Sequence, residues 1–173
     1  MSEETDPIIL VDGSSYLYRA YHALPPLMTS KNQPTGAVKG VISMIKRIRI
    51  DHPESPLAVV FDAKGKTFRH DMYSEYKGNR PPMPEDLVQQ IEPIHRIISL
   101  MGIKLIMISG VEADDVIGTL AEQARQKKLN TVISTGDKDM TQLVCDNVSV
   151  VNTMSGELLD ENGVEKKFGV GPE

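Results

Sequence analysis

Short apolar runs alternate along this chain with longer stretches in which apolar residues recur every three or four positions. The runs predict five buried strands, at residues 8–11, 58–61, 105–108, 131–134 and 148–151. Helical spacing, as at Val38, Val41 and Ile45, predicts the elements between them. Helices are expected from Gly36, after Pro84, and from Asp114 to Lys128. Strands that alternate with helices indicate an α/β protein with a mainly parallel central sheet flanked by helices.

Acidic residues follow four of these runs. They are Asp12, Asp62, Glu112, Asp114, Asp115, Asp137 and Asp139. Because the carboxyl ends of parallel strands meet at one edge of a sheet, we expect these carboxylates to converge. Two unit charges about 4 Å apart repel by roughly 4 kcal/mol at an effective dielectric of about 20, so such a cluster requires metal ions or protons. Oxygen ligands without His or Cys favour magnesium or manganese.

Helix capping is the alternative explanation for each acid taken alone. Asp12 and the acids at positions 112–115 stand just before helical stretches, where N-caps and first-turn acids are common. Capping needs one acid for each helix start, and it does not account for the whole set together with Asp62. The pattern favours a metal site for the set and leaves both explanations equally open for Asp137 and Asp139.

Composition narrows the class of protein. The chain has 173 residues, enough for one domain, and 40% of them are hydrophobic. A formal net charge of -5 argues against a nucleic-acid partner only on average, because acids and bases pool in different places along the chain. One cysteine, Cys145, excludes an internal disulfide, and no apolar stretch is long enough to cross a membrane. These features predict a cytoplasmic protein with no membrane partner.

Residues 64–84, here called the basic segment, directly follow Asp62. Their cations and aromatic rings are Lys64, Lys66, Arg69, Lys77 and Arg80 with Phe68, Tyr73 and Tyr76. On one helix, five side chains would share a cationic and aromatic face, namely those of Arg69, Tyr73, Tyr76, Lys77 and Arg80. Cations hold phosphates, and rings stack on unpaired bases for about 1–3 kcal/mol per base. A solvated linker is the alternative, but beside an acid cluster the segment is predicted to bind a polyanionic substrate through Arg69, Lys64, Lys66 and Phe68.

Five motifs then carry a family resemblance. They are LVDGSSYLYRAYH at 10–22, VFDAKGKTFR at 60–69, YK with RPPMP within 76–84, SGVEADD at 109–115 and STGDKD at 134–139. In this order they closely resemble the flap endonuclease and 5′-3′ exonuclease family, in the branch found at the amino terminus of bacterial DNA polymerases I. The resemblance implies a PIN-like fold with a helical arch, formed by residues 64–84, over a two-metal site. It also implies that residues 1–173 form a nuclease catalytic domain that stops before the family's helix-hairpin-helix element and further aspartate pair.

The resemblance assigns roles to individual residues. It makes Asp12, Asp62, Glu112, Asp114 and Asp115 the first part of a site for two Mg²⁺ or Mn²⁺ ions, which Asp137 and Asp139 extend. It places Tyr76, Lys77 and Arg80 in the arch that engages the 5′ strand, and Arg19 near the scissile phosphate. The implied reaction is hydrolysis of phosphodiesters in flap, nicked or gapped DNA and in RNA primers on DNA, during replication and repair. A polymerase domain is expected in the parent chain.

Three other functions stay open from the residues. A PIN-type ribonuclease shares the fold group but generally has fewer acids and no long basic insertion. A phospho-receiver signalling domain would pair one magnesium and a phosphorylated Asp62 with a lysine such as Lys138, and it would not need the acids at 112–115 together. A catalytically incomplete DNA-binding fragment is the third.

Overall fold

Strands and helices alternate along the chain as the sequence predicts. The computed structural model describes residues 5–75, 77–78, 81–153 and 155–172. The strands are β1 Ile8–Asp12, β2 Leu57–Val60, β3 Lys104–Ile106, β4 Thr131–Thr135, β5 Val148–Asn152 and β6 Leu158–Leu159. The α-helices are α1 Gly13–Ala23, α2 Gly36–Asp51, α3 Phe68–Met72, α4 Glu85–Leu100, α5 Ala113–Gln126 and α6 Glu161–Phe168, and a 3₁₀ helix spans Lys138–Leu143.

One six-stranded sheet organises the molecule, with the strand order β3-β2-β1-β4-β5-β6. The first five strands are parallel to their neighbours, and β6 pairs antiparallel with β5. The chain builds outward from β1 to β2 and β3, then returns to the other side of β1 with β4. The direction of strand order therefore reverses at β1, and ligands of open α/β sheets bind outside the carboxyl ends of strands at such a point.

Two apolar cores cover the two faces of the sheet. Successive side chains of a strand point to opposite faces, and β1 follows this rule. Ile9 and Val11 pack with residues of α1, α2 and α4, whereas Leu10 packs with residues of α5 and α6. Val11 and Leu10 lie on opposite faces and are 0% and 3% exposed, so β1 is covered on both sides. The strand that ends at Asp12 is thus enclosed by the two cores.

The structure confirms the predicted α/β class and corrects several boundaries. The third strand ends at Ile106 rather than at Ile108, and Met107 and Ile108 are 44% and 49% exposed. Neither β6 nor α6 was predicted, because a two-residue strand and a weakly apolar helix give little periodic signal.

The basic segment differs most from its prediction. Its helix α3 has five residues and ends at Met72, and Lys77 has a left-handed backbone with φ of 55°. The prediction that Arg69 and Lys77 share one helical face is therefore wrong. Tyr76 and Arg80, which were assigned to the same face, lie outside the described residues.

Within the part of the chain that the structure describes, no helix is long and apolar enough to cross a membrane.

Candidate functional site

Asp12 lies at the end of β1, between the ends of β2 and β4. Asp12 is only 3% exposed. Oδ1 accepts a hydrogen bond from the backbone N–H of Ser15 at 3.1 Å, and Oδ2 accepts one from the Thr135 hydroxyl at 2.8 Å. Burial raises the pKa of Asp12 despite these two donors, and the charges of Asp62 and Asp137 raise it further. The fold thus keeps a buried carboxylate beside two others.

Asp62 lies two residues beyond the end of β2. Its Oδ1 accepts a hydrogen bond from the backbone N–H of Ala113 at 2.7 Å, the first residue of α5. Asp62 therefore links the end of a central strand to the start of the helix that carries Asp114. This amide contact is a form of helix capping, and it holds the carboxylate toward Asp12.

Asp137 follows β4 and caps the 3₁₀ helix. Its Oδ1 accepts from the backbone N–H of Asp139 at 2.9 Å, and its own N–H donates to the Thr135 hydroxyl at 3.0 Å. Thr135 therefore touches two acids, because it also donates to Asp12. The capping alternative is real for Asp12 and Asp137, yet both carboxylates also act electrostatically on the same neighbour, Asp114.

Asp114 is the acid on which the surrounding charges act most strongly. Although this residue is exposed, loss of water around its carboxyl raises the pKa, and the charges of Asp12, Asp137, Asp62 and Glu112 add to it, bringing the pKa to about 6. Asp114 accepts no hydrogen bond from any of the described residues. A carboxylate that is surrounded by negative charge and accepts no hydrogen bond is stabilised by binding a proton or a cation.

Glu112 and Asp115 face cations instead. They form a capping box at the start of α5. The Glu112 side chain accepts from the backbone N–H of Asp115, and the Asp115 side chain accepts from the backbone N–H of Glu112. Arg69 donates to Glu112 at 2.9 Å and to both oxygens of Asp115, with Nη2 to Oδ1 at 2.7 Å. Lys77 also pairs with Glu112. Hydrogen bonding to Arg69 lowers the pKa of Asp115, the reverse of the shift at Asp114.

The start of the basic segment is docked beside α5. The backbone N–H of Phe68 donates to the carbonyl of Gly110 at 2.8 Å, just before Glu112. The Arg69 guanidinium also lies 4.7 Å from the centre of the Phe68 ring, within the range of a cation–π contact. These contacts explain how a residue more than 40 positions away in sequence reaches the acids of α5. The sequence predicted the charges of this segment but not their carboxylate partners.

The remaining predicted residues lie farther from these contacts. Lys64 and Lys66 are exposed on either side of Gly65, whose φ is 105°. Arg19 is half-buried on α1, two turns after Asp12. The Asp139 side chain lines a cleft against Val164 and Phe168 of α6, so the structure does not bring it to Asp114 with the other acids.

The donor set can be tested for its fit to a metal ion. The charges of four carboxylates act on Asp114, namely those of Asp12, Asp137, Asp62 and Glu112, and the charges of Asp62 and Asp137 also act on Asp12. Among the described residues, however, no three His, Cys, Asp or Glu side chains are grouped closely enough to hold a metal ion. Oxygen-only donors with unbalanced negative charge fit a hard divalent cation in chemistry. Metal binding by these acids stays a prediction.

The sequence interpretation missed three hydroxyl residues at this site. Thr135 bridges Asp12 and Asp137, while Ser14 and Ser15 accept hydrogen bonds from the loops that follow β2 and β4. All three lie inside the motifs DGSS and STGDKD. Their position beside candidate ligands was the available signal, but a hydroxyl's partner depends on which strands are neighbours.

The family follows from comparison with known sequences. A model for the family described as 5′-3′ exonuclease, N-terminal resolvase-like domain, matches residues 7–169. The chain belongs to this 5′-3′ exonuclease family. It is also 60% identical over 167 residues to a DNA polymerase I of Pseudomonas aeruginosa, a match that covers 96% of the chain and 18% of that relative. Membership of the exonuclease family excludes the signalling-domain alternative.

Solved structures agree on the fold of this exonuclease-family chain. The bacteriophage T5 D15 protein, co-crystallised with metal ions, matches with a TM-score of 0.74 at 22% identity, over 96% of this chain and 62% of that one. A complex of the T5 D15 flap endonuclease with DNA and metal ions matches with a TM-score of 0.71 at 22% identity, over 94% and 61%. At this level of identity the likeness confirms the fold, as predicted from the resemblance.

Proposed function

We propose that this chain carries the metal-dependent site of a 5′-nuclease that hydrolyses phosphodiesters, with two Mg²⁺ or Mn²⁺ ions held by the acids at the strand ends. One observation carries the proposal: the Asp114 carboxyl has lost water around it and lies near the charges of Asp12, Asp137 and Asp62, which together bring its pKa to about 6. Strongly shifted pKa values cluster at functional sites, so this repulsion between carboxylates favours a functional role for the group. Membership of the 5′-3′ exonuclease family supports hydrolysis as that use.

The proposed ligands are the acids that face Asp114, together with the pair on α5. The set is Asp12, Asp62, Glu112, Asp114, Asp115 and Asp137. Asp139, at the start of the 3₁₀ helix, is proposed as a further ligand that extends the site. Divalent ions supply Lewis-acid stabilisation of the charge that develops on phosphate oxygens, and they ease deprotonation of water. The carboxylates act as ligands rather than as nucleophiles. Their own part is to hold positive charge at one fixed place beside the substrate.

Arg69 and Lys77 are proposed to exchange partners when substrate binds. Both now lie against Glu112 or Asp115, at the edge of the acid group. Once these carboxylates are neutralised by other cations, the guanidinium and ammonium groups become available to phosphate oxygens. Arg69 then serves in binding and Lys77 in stabilising the phosphate. Their present contacts support this role because they already place both charges beside the acids.

Other cations and rings extend the proposed substrate path. Lys64, Lys66 and Phe68 precede Arg69 in the basic segment, and Arg19 lies on α1 beyond Asp12. Tyr76 and Arg80 keep their predicted roles in engaging the 5′ strand, although they lie outside the described residues. We propose residues 64–84 as the arch and residues 1–173 as the catalytic domain that carries it.

The proposed substrates are DNA with 5′ flaps, nicks or gaps, and RNA primers on DNA. The T5 flap endonuclease was solved with DNA and metal ions, and the relatives include DNA polymerase I. We also propose a polymerase domain in the parent chain and a role in replication and repair, which the match to DNA polymerase I supports. Such an enzyme would work in the cytoplasm, where the thiol of Cys145 would stay reduced.

Cleavage of a 5′-labelled flap DNA by this chain, with Mg²⁺ or Mn²⁺, tests the proposal. Asp114→Asn should lower metal-dependent cutting by about 100-fold or more. Glu122→Gln is the matched control, since Glu122 is an exposed acid on the same helix that pairs with Arg125, and it should cut like the unchanged chain.

Titration of Mn²⁺ by electron paramagnetic resonance gives a second measure that does not need activity. The unchanged chain should bind Mn²⁺, and Asp114→Asn should bind it more weakly. Metal-independent cutting, or equal Mn²⁺ binding by both chains, would contradict the metal site. Preference for single-stranded RNA would favour a PIN-type ribonuclease, and DNA binding without any cutting would favour the incomplete fragment.

A further inference from the structure

Two adjacent serines open α1 and reach in opposite directions. The Ser14 hydroxyl accepts a hydrogen bond from the backbone N–H of Asp62 at 3.1 Å. The Ser15 hydroxyl accepts one from the backbone N–H of Gly136 at 2.8 Å. Because β1 lies between β2 and β4, the first turn of α1 stands between the two loops that follow those strands. Each serine therefore holds one loop.

Both loops carry an acid of the proposed metal site. Asp62 is itself the residue whose amide Ser14 holds, and Gly136 directly precedes Asp137. These amides lie beyond the ends of the strands, where an N–H group needs an acceptor from outside the sheet. The serine hydroxyls supply it. Ser14 thereby fixes the peptide unit that leads into Asp62, and Ser15 fixes the Thr135–Gly136 peptide, one residue before Asp137.

The hydroxyls are not needed as caps of their own helix. Asp12 caps α1 by accepting from the backbone N–H of Ser15. The side chains of Ser14 and Ser15 are thus free to bond across to other strands. Gly136 also allows the close approach, since a Cβ at that position would lie 3.0 Å from the Ser15 hydroxyl oxygen. A role confined to helix capping does not explain these contacts.

We propose that the hydroxyls of Ser14 and Ser15 are positioning groups that set the places of Asp62 and Asp137 relative to Asp12. This inference rests on the proposed function, because it concerns how well the three carboxylates can share an ion. Groups that orient metal ligands typically change metal affinity by about 10- to 100-fold when removed. Among the described residues the two hydroxyls bond to backbone amides and to no carboxylate, so the hydroxyls act through the backbone.

Amide hydrogen exchange of the ¹⁵N-labelled, metal-free chain tests each contact separately. Ser14→Ala should speed exchange of the Asp62 amide, and Ser15→Ala that of the Gly136 amide, each by roughly fivefold, the change that one net hydrogen bond represents. Each variant should leave the other amide unchanged. The two variants therefore serve as controls for each other. If both amides exchanged in both variants at the same rates as in the unchanged chain, the proposed pairing would be overturned.

Mn²⁺ titration of the same chains tests the consequence. Ser14→Ala and Ser15→Ala should each weaken Mn²⁺ binding by about 10-fold, and Ser14→Thr and Ser15→Thr, which keep the hydroxyl, should restore most of it. Ser43→Ala, on the exposed face of α2, is the control for loss of a serine hydroxyl and should bind normally.

The outcomes separate this inference from the proposed function. No Mn²⁺ binding by the unchanged chain would overturn both. Normal binding by the unchanged chain and by both alanine variants would overturn the positioning role alone. A general loss of fold would speed exchange throughout β1 and β4. In that case the threonine variants decide: weak binding in a folded chain that keeps the hydroxyl would overturn the proposal.

Discussion

Asp114 and Asp115 are neighbours in the first turn of α5, yet their carboxyls meet opposite surroundings. Loss of water around the Asp114 carboxyl, together with the charges of the acids at the strand ends, raises its pKa to about 6. Asp115 faces Arg69, and its pKa is lowered. One step along a helix turns a side chain by about 100°, so consecutive residues sample different neighbours. The helix therefore presents one acid to a region of excess negative charge and one to a cation.

The acids on the two sides of the site are held by different kinds of partner. On the sheet side, neutral groups hold both acids: Asp12 accepts from the Thr135 hydroxyl, and Asp137 accepts from the backbone N–H of Asp139 while its own N–H donates to the Thr135 hydroxyl. On the side of the basic segment, Glu112 and Asp115 are neutralised by Arg69 and Lys77. The first arrangement is built into the strands. The second depends on partners that could be exchanged for others.

Removing the Thr135 hydroxyl, the neutral donor to Asp12 on the sheet side, should have the largest effect on the free energy of unfolding. Thr135→Val keeps the shape of a side chain that is 1% exposed but leaves a buried carboxylate oxygen of Asp12 without its donor. We expect a loss of about 2 kcal/mol in the free energy of unfolding, measured with urea in EDTA.

Two further variants control this result. Thr135→Ser keeps the hydroxyl and should lose less stability. Thr141→Val removes a buried hydroxyl whose one hydrogen bond within the described part of the chain is to the carbonyl of Lys138, and it should cost less than about 1 kcal/mol. Equal losses in Thr135→Val and Thr141→Val would show that the bridge between Asp12 and Asp137 adds nothing special.

Removing the cation on the other side should have a smaller effect that depends on metal. Arg69→Gln leaves Glu112 and Asp115 facing each other, and because the Arg69 side chain is 33% exposed we expect a loss of about 1–2 kcal/mol in EDTA. Saturating Mn²⁺ should reduce that loss, since another cation then neutralises the same carboxylates.

Arg125→Gln is the matched control on α5. Arg125 pairs with Glu122 at the surface, where the two side chains are 50% and 47% exposed, and its removal should change stability by no more than the error of measurement. If Mn²⁺ left the cost of Arg69→Gln unchanged, Arg69 and the metal would not share their partners.

The two neighbouring acids of α5 should also give opposite dependences of stability on pH in EDTA. The pKa of Asp114 is higher in the folded chain than its ordinary 3.8, so ionising this group costs stability as the pH rises from about 4 through about 6. Asp114→Asn should therefore become steadily more stable than the unchanged chain across that range. Urea titrations at several pH values measure the difference.

Asp115→Asn should differ in the opposite direction. The lowered pKa of Asp115 contributes stability that is fully present above its ordinary pKa of 3.8 and is lost as the pH falls through the folded value. This variant should be less stable than the unchanged chain above about pH 4, and the deficit should shrink in more acidic solution. Stability differences of the same sign for both variants would contradict the contrast between the two acids.

Particular residues show how far the sequence could be interpreted. The runs that end at Asp12 and Asp62 were recognisable as strands because buried parallel strands are continuously apolar. Their place in one parallel sheet follows from the alternation with helices. The basic segment was recognisable by charge and aromatic content, but not its ending: α3 stops at Met72, and Lys77 takes a left-handed backbone. Its partners on α5 lie more than 30 residues away.

By itself, therefore, the sequence determined the α/β class, the strand ends that carry acids, the basic segment and the 5′-3′ exonuclease family. These properties reside in local periodicity, residue type and motif order. Tertiary structure alone decided the order of strands around β1, and with it which acids face each other. The raised pKa of Asp114 and the loop contacts of Ser14 and Ser15 depend on that order, and the lowered pKa of Asp115 depends on the docking of the basic segment beside α5. Such contacts join residues that are distant in the chain, and no local pattern encodes their distance.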